Sequence, residues 1–141
     1  MSIFKSPEQV LYRSLICDPL VARLVGFRVF PLLAPASAAV PFIVYERTTI
    51  ERNATLGAIG AVGVPKLTVQ FTFYGVTYAA SRELADSARS VLDGRGKTSY
   101  GTEVKRAVLE NESDGLAQLE GGELPPVYQV TQSYDILWQE L

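Results

Sequence analysis

The sequence predicts an α+β fold in which an antiparallel sheet of about four to five strands carries its helices on one face. Two neighbouring stretches carry this prediction. Between Leu67 and Phe73, apolar and polar side chains alternate, which is the period-two pattern of a strand with one buried face. From Leu84 to Leu92, the apolar side chains follow the spacing of a single helical stripe. Because such a helix needs an apolar surface to cover, we expect a two-layer sandwich from which a long β-hairpin projects.

The length and composition are those of one ordinary folded domain. The chain has 141 residues, of which 48% are hydrophobic and 20% charged, and its formal net charge is −2. We therefore expect a single domain over residues 1–141. Lys and Arg are not clustered, so electrostatic binding to nucleic acid is poorly supported. The sequence lacks both a signal peptide pattern and an apolar run of membrane-spanning length, so we expect a soluble protein made in a cytoplasm.

Residue types that commonly perform chemistry are scarce. Histidine is absent, which removes imidazole metal ligands and the usual general base. Cys17 is the only cysteine, which excludes an internal disulfide and any metal cluster built on cysteines. Because Cys17 ends an apolar helical run, we expect a buried, inert thiol. We predict no catalytic, cofactor-binding or metal-binding residues, and nothing in the sequence argues for an enzyme.

The N-terminal third predicts two short helices and a brief strand. The first helix begins at Ser6-Pro7, where a capping residue precedes a proline at the first helical position. Asp18-Pro19 repeats this signal for a second helix, and Gly26 is expected to end it. A strand follows over Phe27 to Phe30, and residues 32–40 are expected to form a surface connection.

A long strand is predicted from Phe42 to Arg52, with Phe42, Val44 and Ile50 on one face, and it should pair with the Leu67 strand as a hairpin. The sequence between them, NATLGAIGAVG at residues 53–63, has three glycines and no charge. Eleven residues are long for a hairpin connection. Two interpretations stay open, namely a flexible tip and a loop that becomes ordered against a neighbouring subunit or partner.

The second interpretation defines a candidate interface. Apolar side chains in the loop would otherwise be exposed to water. Basic side chains flank the hairpin and are able to meet a phosphate or a partner's carboxylates, although ordinary exposed strand charges are the favoured interpretation. The candidate residues are Arg47, Arg52, Leu56, Ile59, Val62 and Lys66.

The helix that follows the second hairpin strand is bounded by recognisable signals. Gly75 interrupts the strand, and Thr77 or Ser81 is able to cap the helix. Arg82 and Asp86 are four residues apart and are expected to pair on its exposed face. Asp93-Gly94 is expected to end it.

The C-terminal third predicts a hairpin of two further strands. Residues 94–101 are expected to form a loop before a strand near Glu103–Glu110. Asn111 to Gly122 is polar and contains glycine, which predicts a turn or mobile loop. In the last strand, Val127 to Trp138, only Gln132 interrupts the apolar register.

Two patterns suggest ligand sites and are rejected. Gly96-Lys97-Thr98 resembles the end of a phosphate-binding loop, but Val91 replaces the required earlier glycine. A helix also leads into this segment, whereas a phosphate loop needs a strand that leads into a helix. We therefore expect a solvated turn. The alternating Glu110, Glu112 and Asp114 lack the pattern of a calcium loop, so we expect a solvated strand end.

Four segments form a further pattern along nearly the whole chain: GFRVFP at 26–31, PFIVY at 41–45, VQFTFYG at 69–75, and the closing strand from Tyr128 to Ile136. Together with the opening helix, Ala34-Pro35 and the Ala-rich helix at Leu84-Ala85, this pattern resembles a family of tailed-phage tail-completion or tail-terminator proteins. The chain departs from the shortest members by a longer insertion at Asn111–Gly122.

The resemblance implies a structural virion protein of the phage tail or neck, made in the host cytoplasm. It implies a homo-oligomer, a hexameric ring that caps the head-proximal end of the tail tube, ends tube polymerisation and offers a docking surface for the head connector. The implied partners are the tail tube protein and the head–tail connector protein. Genomic DNA would pass through the ring without sequence-specific binding, and neither a membrane nor a cofactor is involved.

The resemblance also gives the hairpin a role, since its loop with Arg52 and Lys66 would contact the tail tube or an adjacent subunit. Two alternatives remain. A head–tail connector or other neck (stopper) subunit would share the size, solubility and ring assembly. A small ligand-binding or enzymatic α+β domain would require a concave site with converging polar groups.

Overall fold

The α+β class is confirmed by the computed structural model, which describes residues 7–32, 34, 40–51, 66–93, 97–99, 102–117 and 127–140. No helix within those ranges has the length and apolar character needed to cross a membrane. The elements, in chain order, are α1 (Pro7–Cys17), α2 (Pro19–Val25), β1 (Val29–Pro31), β2 (Phe42–Glu51), β3 (Lys66–Gly75), α3 (Tyr78–Leu92), β4 (Lys97–Ser99), β5 (Thr102–Ala117) and β6 (Val127–Glu140).

The strands form one sheet in the order β1-β2-β3-β6-β5-β4. Neighbouring strands are antiparallel except β1 and β2, which are parallel. The sheet has six strands, which are the five that the sequence predicts and one more. The additional strand is β4, whose three residues are too few to produce a periodic pattern in the sequence.

Local signals fix the ends of α2 and the start of α3 as predicted, and the predicted cap Ser6 lies outside the described residues. Asp18 caps α2, since its carboxylate accepts the Val21 N–H at 3.0 Å. Gly26 ends α2 with a φ of 60°, a backbone conformation that favours glycine. Thr77, not Ser81, caps α3, and its hydroxyl accepts the Ala80 N–H at 3.1 Å.

The core joins buried side chains of α1, α2 and α3 to side chains on one face of the strands. Its centre is Phe71, a fully buried residue of β3 whose ring contacts those of Tyr45, Phe73 and Tyr134. The other buried members of this cluster are Val10, Leu11, Leu15, Val21, Val25, Val29, Ile43, Leu67, Val69, Leu84, Ala85, Ala88, Leu92, Ala107, Val130, Ile136 and Trp138.

The buried face of β2 differs from the prediction. Ile43 and Tyr45 belong to the core cluster, whereas Phe42 and Val44 lie on the opposite face. Phe42 is nevertheless buried, because its ring stacks on Tyr74 at a centroid distance of 4.7 Å. The prediction was wrong because aromatic neighbours cover the outer end of this strand, so both faces look apolar in sequence.

Residues 111–117 are not a loop but the second half of the sixteen-residue β5. They pair with β6 from Asn111, opposite Ser133, to Ala117, opposite Val127. The strand is polar because partners distant in sequence satisfy its side chains. The remainder of the predicted loop and insertion, residues 118–122, lies outside the described residues.

Two smaller predictions were also wrong. Cys17 is exposed, because it ends α1 beyond the inward stripe that includes Leu11 and Leu15. Lys97 and Thr98 belong to β4 and pair with β5, so this part of the segment is an edge strand and not a turn. Gly96 lies outside the described residues.

Candidate functional site

The candidate interface predicted from sequence falls at one end of the β2–β3 pair, and the structure describes two of its six residues. Arg47 is exposed on β2, opposite Val69. The register shifts after Arg47, where the Thr48 hydroxyl donates to the Thr68 carbonyl at 3.1 Å. Lys66 begins β3 opposite Glu51, whereas the Arg47–Val69 pair lies three residues further along β3. Outside the described residues lie Arg52, Leu56, Ile59 and Val62.

The acidic residues of β5 do not form a carboxylate site. Glu112 and Asp114 both lie on the side of the sheet that faces α3, where each pairs with Arg82 at 3.1 and 3.4 Å. Glu110 falls at a register shift and is exposed. No three metal-ligating side chains converge within the described part of the chain.

A polar cluster instead joins α3 to β5 and β6. The amide of Gln132 donates from Nε2 to Glu112 Oε2 at 2.6 Å and accepts at Oε1 from the Tyr134 hydroxyl at 2.6 Å. Arg82 forms an ion pair with Glu112 at 3.1 Å and another with Asp86 at 3.3 Å. The pair between Arg82 and Asp86 is the one predicted within α3, and it is confirmed. We define the polar cluster as Tyr78, Arg82, Asp86, Glu112, Asp114, Gln132 and Tyr134.

This polar cluster fixes the helix on the sheet, because its bonds cross between three elements. Gln132 and Tyr134 are fully buried, so each of their polar atoms needs a partner within the protein. The sequence contains one signal for the cluster, which is the polar Gln132 in an otherwise apolar strand face. Apart from Tyr134, the partners of Gln132 lie 20 or more residues away and are not recognisable from spacing.

The two tyrosines of the polar cluster hold their protons more strongly than usual. Burial, and next the negative charge of Asp93, raise the pKa of Tyr134 well above its ordinary value. The hydroxyl of Tyr78 donates to Asp114 at 3.0 Å, and this hydrogen bond raises the pKa of Tyr78. Both side chains therefore serve as hydrogen-bond donors at neutral pH.

Tyr134→Phe is expected to change how stability depends on alkaline pH. A tyrosine with a raised folded-state pKa stabilises the fold below its unfolded pKa of about 10, and this contribution is lost as the pH rises further. The wild type should therefore lose up to about 1.4 kcal/mol per pH unit above pH 10 relative to the variant. Denaturant unfolding of both proteins from pH 8 to 11 measures this difference. If the free energy of unfolding of the two proteins varied with pH in parallel, Tyr134 would ionise equally well in the folded and unfolded states, which would contradict the prediction.

Exposed apolar side chains gather beside the polar cluster, where β3 ends and β6 begins. Leu116 of β5 lies opposite Tyr128 of β6, and Tyr128 lies opposite Gly75. The rings of Tyr78 and Tyr128 meet edge to face at 6.3 Å. Val76 follows Gly75 directly and is also exposed. We call Val76, Tyr78, Leu116 and Tyr128 the tyrosine patch, which sequence reasoning missed because its members come from three separate segments of the chain.

Two open depressions on the described surface are lined mainly by polar side chains. One lies on α3 beside Asp86, Arg89, Ser90 and Asp93. Within it, Ser90 Oγ donates to the backbone carbonyl of Ser87 at 2.7 Å and not to a general base. The other depression is lined by Arg106, Val108, Glu110, Asp135 and Leu137.

The fold has a counterpart among solved structures. No family model and no curated protein matches the chain. A chain in the virion of a native gene transfer agent (GTA) particle is similar to it with a TM-score of 0.69 and 12% sequence identity. The similarity covers 94% of this chain and 94% of that chain. At this identity the comparison establishes a shared fold over nearly the whole length.

Proposed function

We propose that the chain is a structural virion protein of a tailed phage or phage-like particle. The observation that carries this proposal is the shared fold with a chain of a GTA virion over 94% of both chains. A match of this extent includes the helices and the sheet together, so it is more specific than a common strand motif. The family resemblance of the sequence points to the same class of protein.

Within the virion, the role that we propose is that of a tail terminator. The subunit would be one two-layer domain that assembles as a hexameric ring, caps the head-proximal end of the tail tube and stops its polymerisation. The ring would bind the head connector on its other side and let DNA pass through its centre. This structural role requires neither catalysis nor a cofactor.

The β2–β3 hairpin is the part that we assign to the tail tube or an adjacent subunit. Beyond the register shift after Arg47 the two strands remain paired as far as Glu51 and Lys66, so the pairing extends to the start of the connecting segment, residues 52–65. Arg47 is exposed on the approach to this segment. A projecting loop with apolar Leu56, Ile59 and Val62 would supply the contact itself.

Native mass measured across a concentration series, followed by co-sedimentation with tail tubes and with purified connector, tests this proposal. A closed six-fold assembly that binds tubes supports the terminator. Binding to the connector alone would instead support the alternative role of a neck subunit, which the fold similarity also allows. Binding to neither, by a folded protein, would contradict both roles.

Deleting residues 56–62 is expected to abolish control of tail length while leaving the folded domain intact. The deletion removes the apolar side chains of the loop but none of the paired positions of β2 and β3. Phage lysates complemented with the variant should show tails of abnormal length and few joined heads by electron microscopy. The measurement is informative if circular dichroism and melting temperature match the wild type. Tails of normal length with joined heads would show that the loop is not required for the control of tail length.

A further inference from the structure

The tyrosine patch has a negatively charged border. Three carboxylates, those of Asp86, Glu112 and Asp114, share the single guanidinium of Arg82 within 3.4 Å. Three negative charges against one positive charge leave this border with two net negative charges. Glu83, the next residue of α3, is exposed and adds another. A surface that fits here must be apolar at its centre and basic at its rim.

The same chain carries a surface of that kind on α2. Val21 and Val25 face the core, and Leu20 and Arg23 lie on the exposed part of the helix. Phe27 follows the helix and is 77% exposed, the highest value among the exposed large apolar side chains in the described part of the chain. We call Leu20, Arg23 and Phe27 the α2 patch.

The α2 patch together with its charged neighbours Arg28 and Asp18 is positively charged overall. Arg23 is exposed, and nearby Arg28 is held by the carbonyls of Pro41 and Leu24 at 2.9 and 3.4 Å. Asp18 provides the opposing charge, but its carboxylate is occupied in capping α2. Two guanidinium groups and one carboxylate leave one net positive charge, opposite in sign to the border of the tyrosine patch.

The two patches lie towards different edges of the sheet. Phe27 precedes β1, the edge strand, whereas Leu116 belongs to β5. Two to four strand spacings separate β1 from the strands β3, β6 and β5 at which the tyrosine patch lies, which is about 10–19 Å at about 4.8 Å per spacing. One copy of the chain therefore presents both patches at once, and each remains available to a different neighbour.

From these observations we infer that the α2 patch of one copy docks on the tyrosine patch of a second copy. Two different, complementary patches produce a head-to-tail contact, and head-to-tail contacts close into rings or continue as filaments. A two-fold dimer would instead need both patches of one copy to meet the opposite patches of the same partner, and the native mass distinguishes this dimer from a ring. This inference rests on the proposed ring assembly and names the surfaces that build it.

Two substitutions at exposed positions each disrupt one of the two patches and leave the other unchanged. Phe27→Glu places a negative charge in the α2 patch, where it would face the acidic border of a neighbour. Leu116→Arg places a positive charge in the tyrosine patch, where it would face the neighbour's Arg23. Each variant keeps one functional patch, and each is expected to weaken self-association at least about 100-fold, since like charges across an interface cost several kcal/mol. Leu137→Glu, at an exposed apolar position outside both patches, is the matched control.

The decisive measurement is the mass of the mixed variants by analytical ultracentrifugation. The wild type and Leu137→Glu should assemble to the same size, and each patch variant alone should be monomeric. An equimolar mixture of the two patch variants should form at least a 1:1 heterodimer, because the unaltered α2 patch of Leu116→Arg fits the unaltered tyrosine patch of Phe27→Glu. The two altered patches then carry opposite charges, so the heterodimers are able to associate further.

Three results would overturn the inference. The first is a wild type that stays monomeric up to about 1 mM, where weak contacts are measurable. The second is patch variants that assemble like the wild type. The third is patch variants that are folded and monomeric but fail to form the heterodimer when mixed. Wild-type binding to tail tubes is measured separately. A wild-type ring that binds tubes but is unaffected by the substitutions would reject these surfaces while leaving the proposed function supported.

Discussion

Replacing Gln132 by glutamate is expected to lower the free energy of unfolding by about 3–4 kcal/mol at pH 7, although the two side chains have nearly the same shape. The new carboxylate would face that of Glu112 at the position where the amide now donates at 2.6 Å. Position 132 is fully buried. Burial and like charge both raise the pKa of a carboxyl group, and a pKa raised by about two to three corresponds to this loss.

The loss caused by Gln132→Glu should disappear on acidification. A carboxyl whose folded-state pKa lies above its unfolded value of about 4.3 destabilises the fold at neutral pH and ceases to do so as the pH falls below both values. The protonated acid also restores the original bonds, since its O–H donates to Glu112 and its carbonyl accepts from Tyr134. Urea unfolding of the variant and the wild type from pH 8 to 4 measures the difference at each pH.

Gln129→Glu is the control for this prediction. Gln129 lies three residues earlier on β6, on the opposite face and opposite Gly115. The same chemical change there meets no neighbouring carboxylate from β5 at its paired position, so we expect a loss within about 0.5 kcal/mol. Equal losses for the two variants, or a loss at Gln132 that does not vary with pH, would contradict the assigned hydrogen bonds.

The parts of the fold that local chemistry specifies could be predicted from the sequence. The alternation from Leu67 to Phe73 identified β3, because alternate residues of a strand face opposite sides. Asp18 and Thr77 identified the starts of α2 and α3, because capping requires only a side-chain oxygen near the first free N–H groups. The pair between Arg82 and Asp86 followed from one turn of helix.

The parts that depend on contacts distant in sequence could not be predicted. The second half of β5 looks like a loop because Glu112 and Asp114 are charged, yet Arg82, about 30 residues earlier, pairs with both. Gln132 looks like an irregularity until Tyr134 and Glu112 are placed around it. The tyrosine patch has no periodic signature, because the turn after β3, the helix α3 and the strands β5 and β6 each bring only one apolar residue to it.

Gly75→Ala is expected to destabilise the protein by about 3 kcal/mol, which lowers the melting temperature by roughly 10 °C for a chain of this length. A Cβ at position 75 would lie 2.6 Å from the backbone nitrogen of Ser81 and 2.9 Å from its Cα. These atoms belong to the first turns of α3, so the whole start of the helix would have to move away from β3. Calorimetry or thermal denaturation of the two proteins tests this.

Gly115→Ala is the matched control, because Gly115 also lies in a strand paired with β6, and its nearest obstacle is the flexible end of the Gln129 side chain at 3.3 Å. That side chain is able to move, so the control should stay within about 1 kcal/mol of the wild type or gain slightly. Equal melting temperatures for the two variants would show that β3 and α3 are not as tightly packed as described. Tyr78 begins α3 and belongs to the tyrosine patch. The displacement of the helix caused by Gly75→Ala should therefore also weaken self-association, measured at a temperature where the variant remains folded. Gly115→Ala should assemble like the wild type.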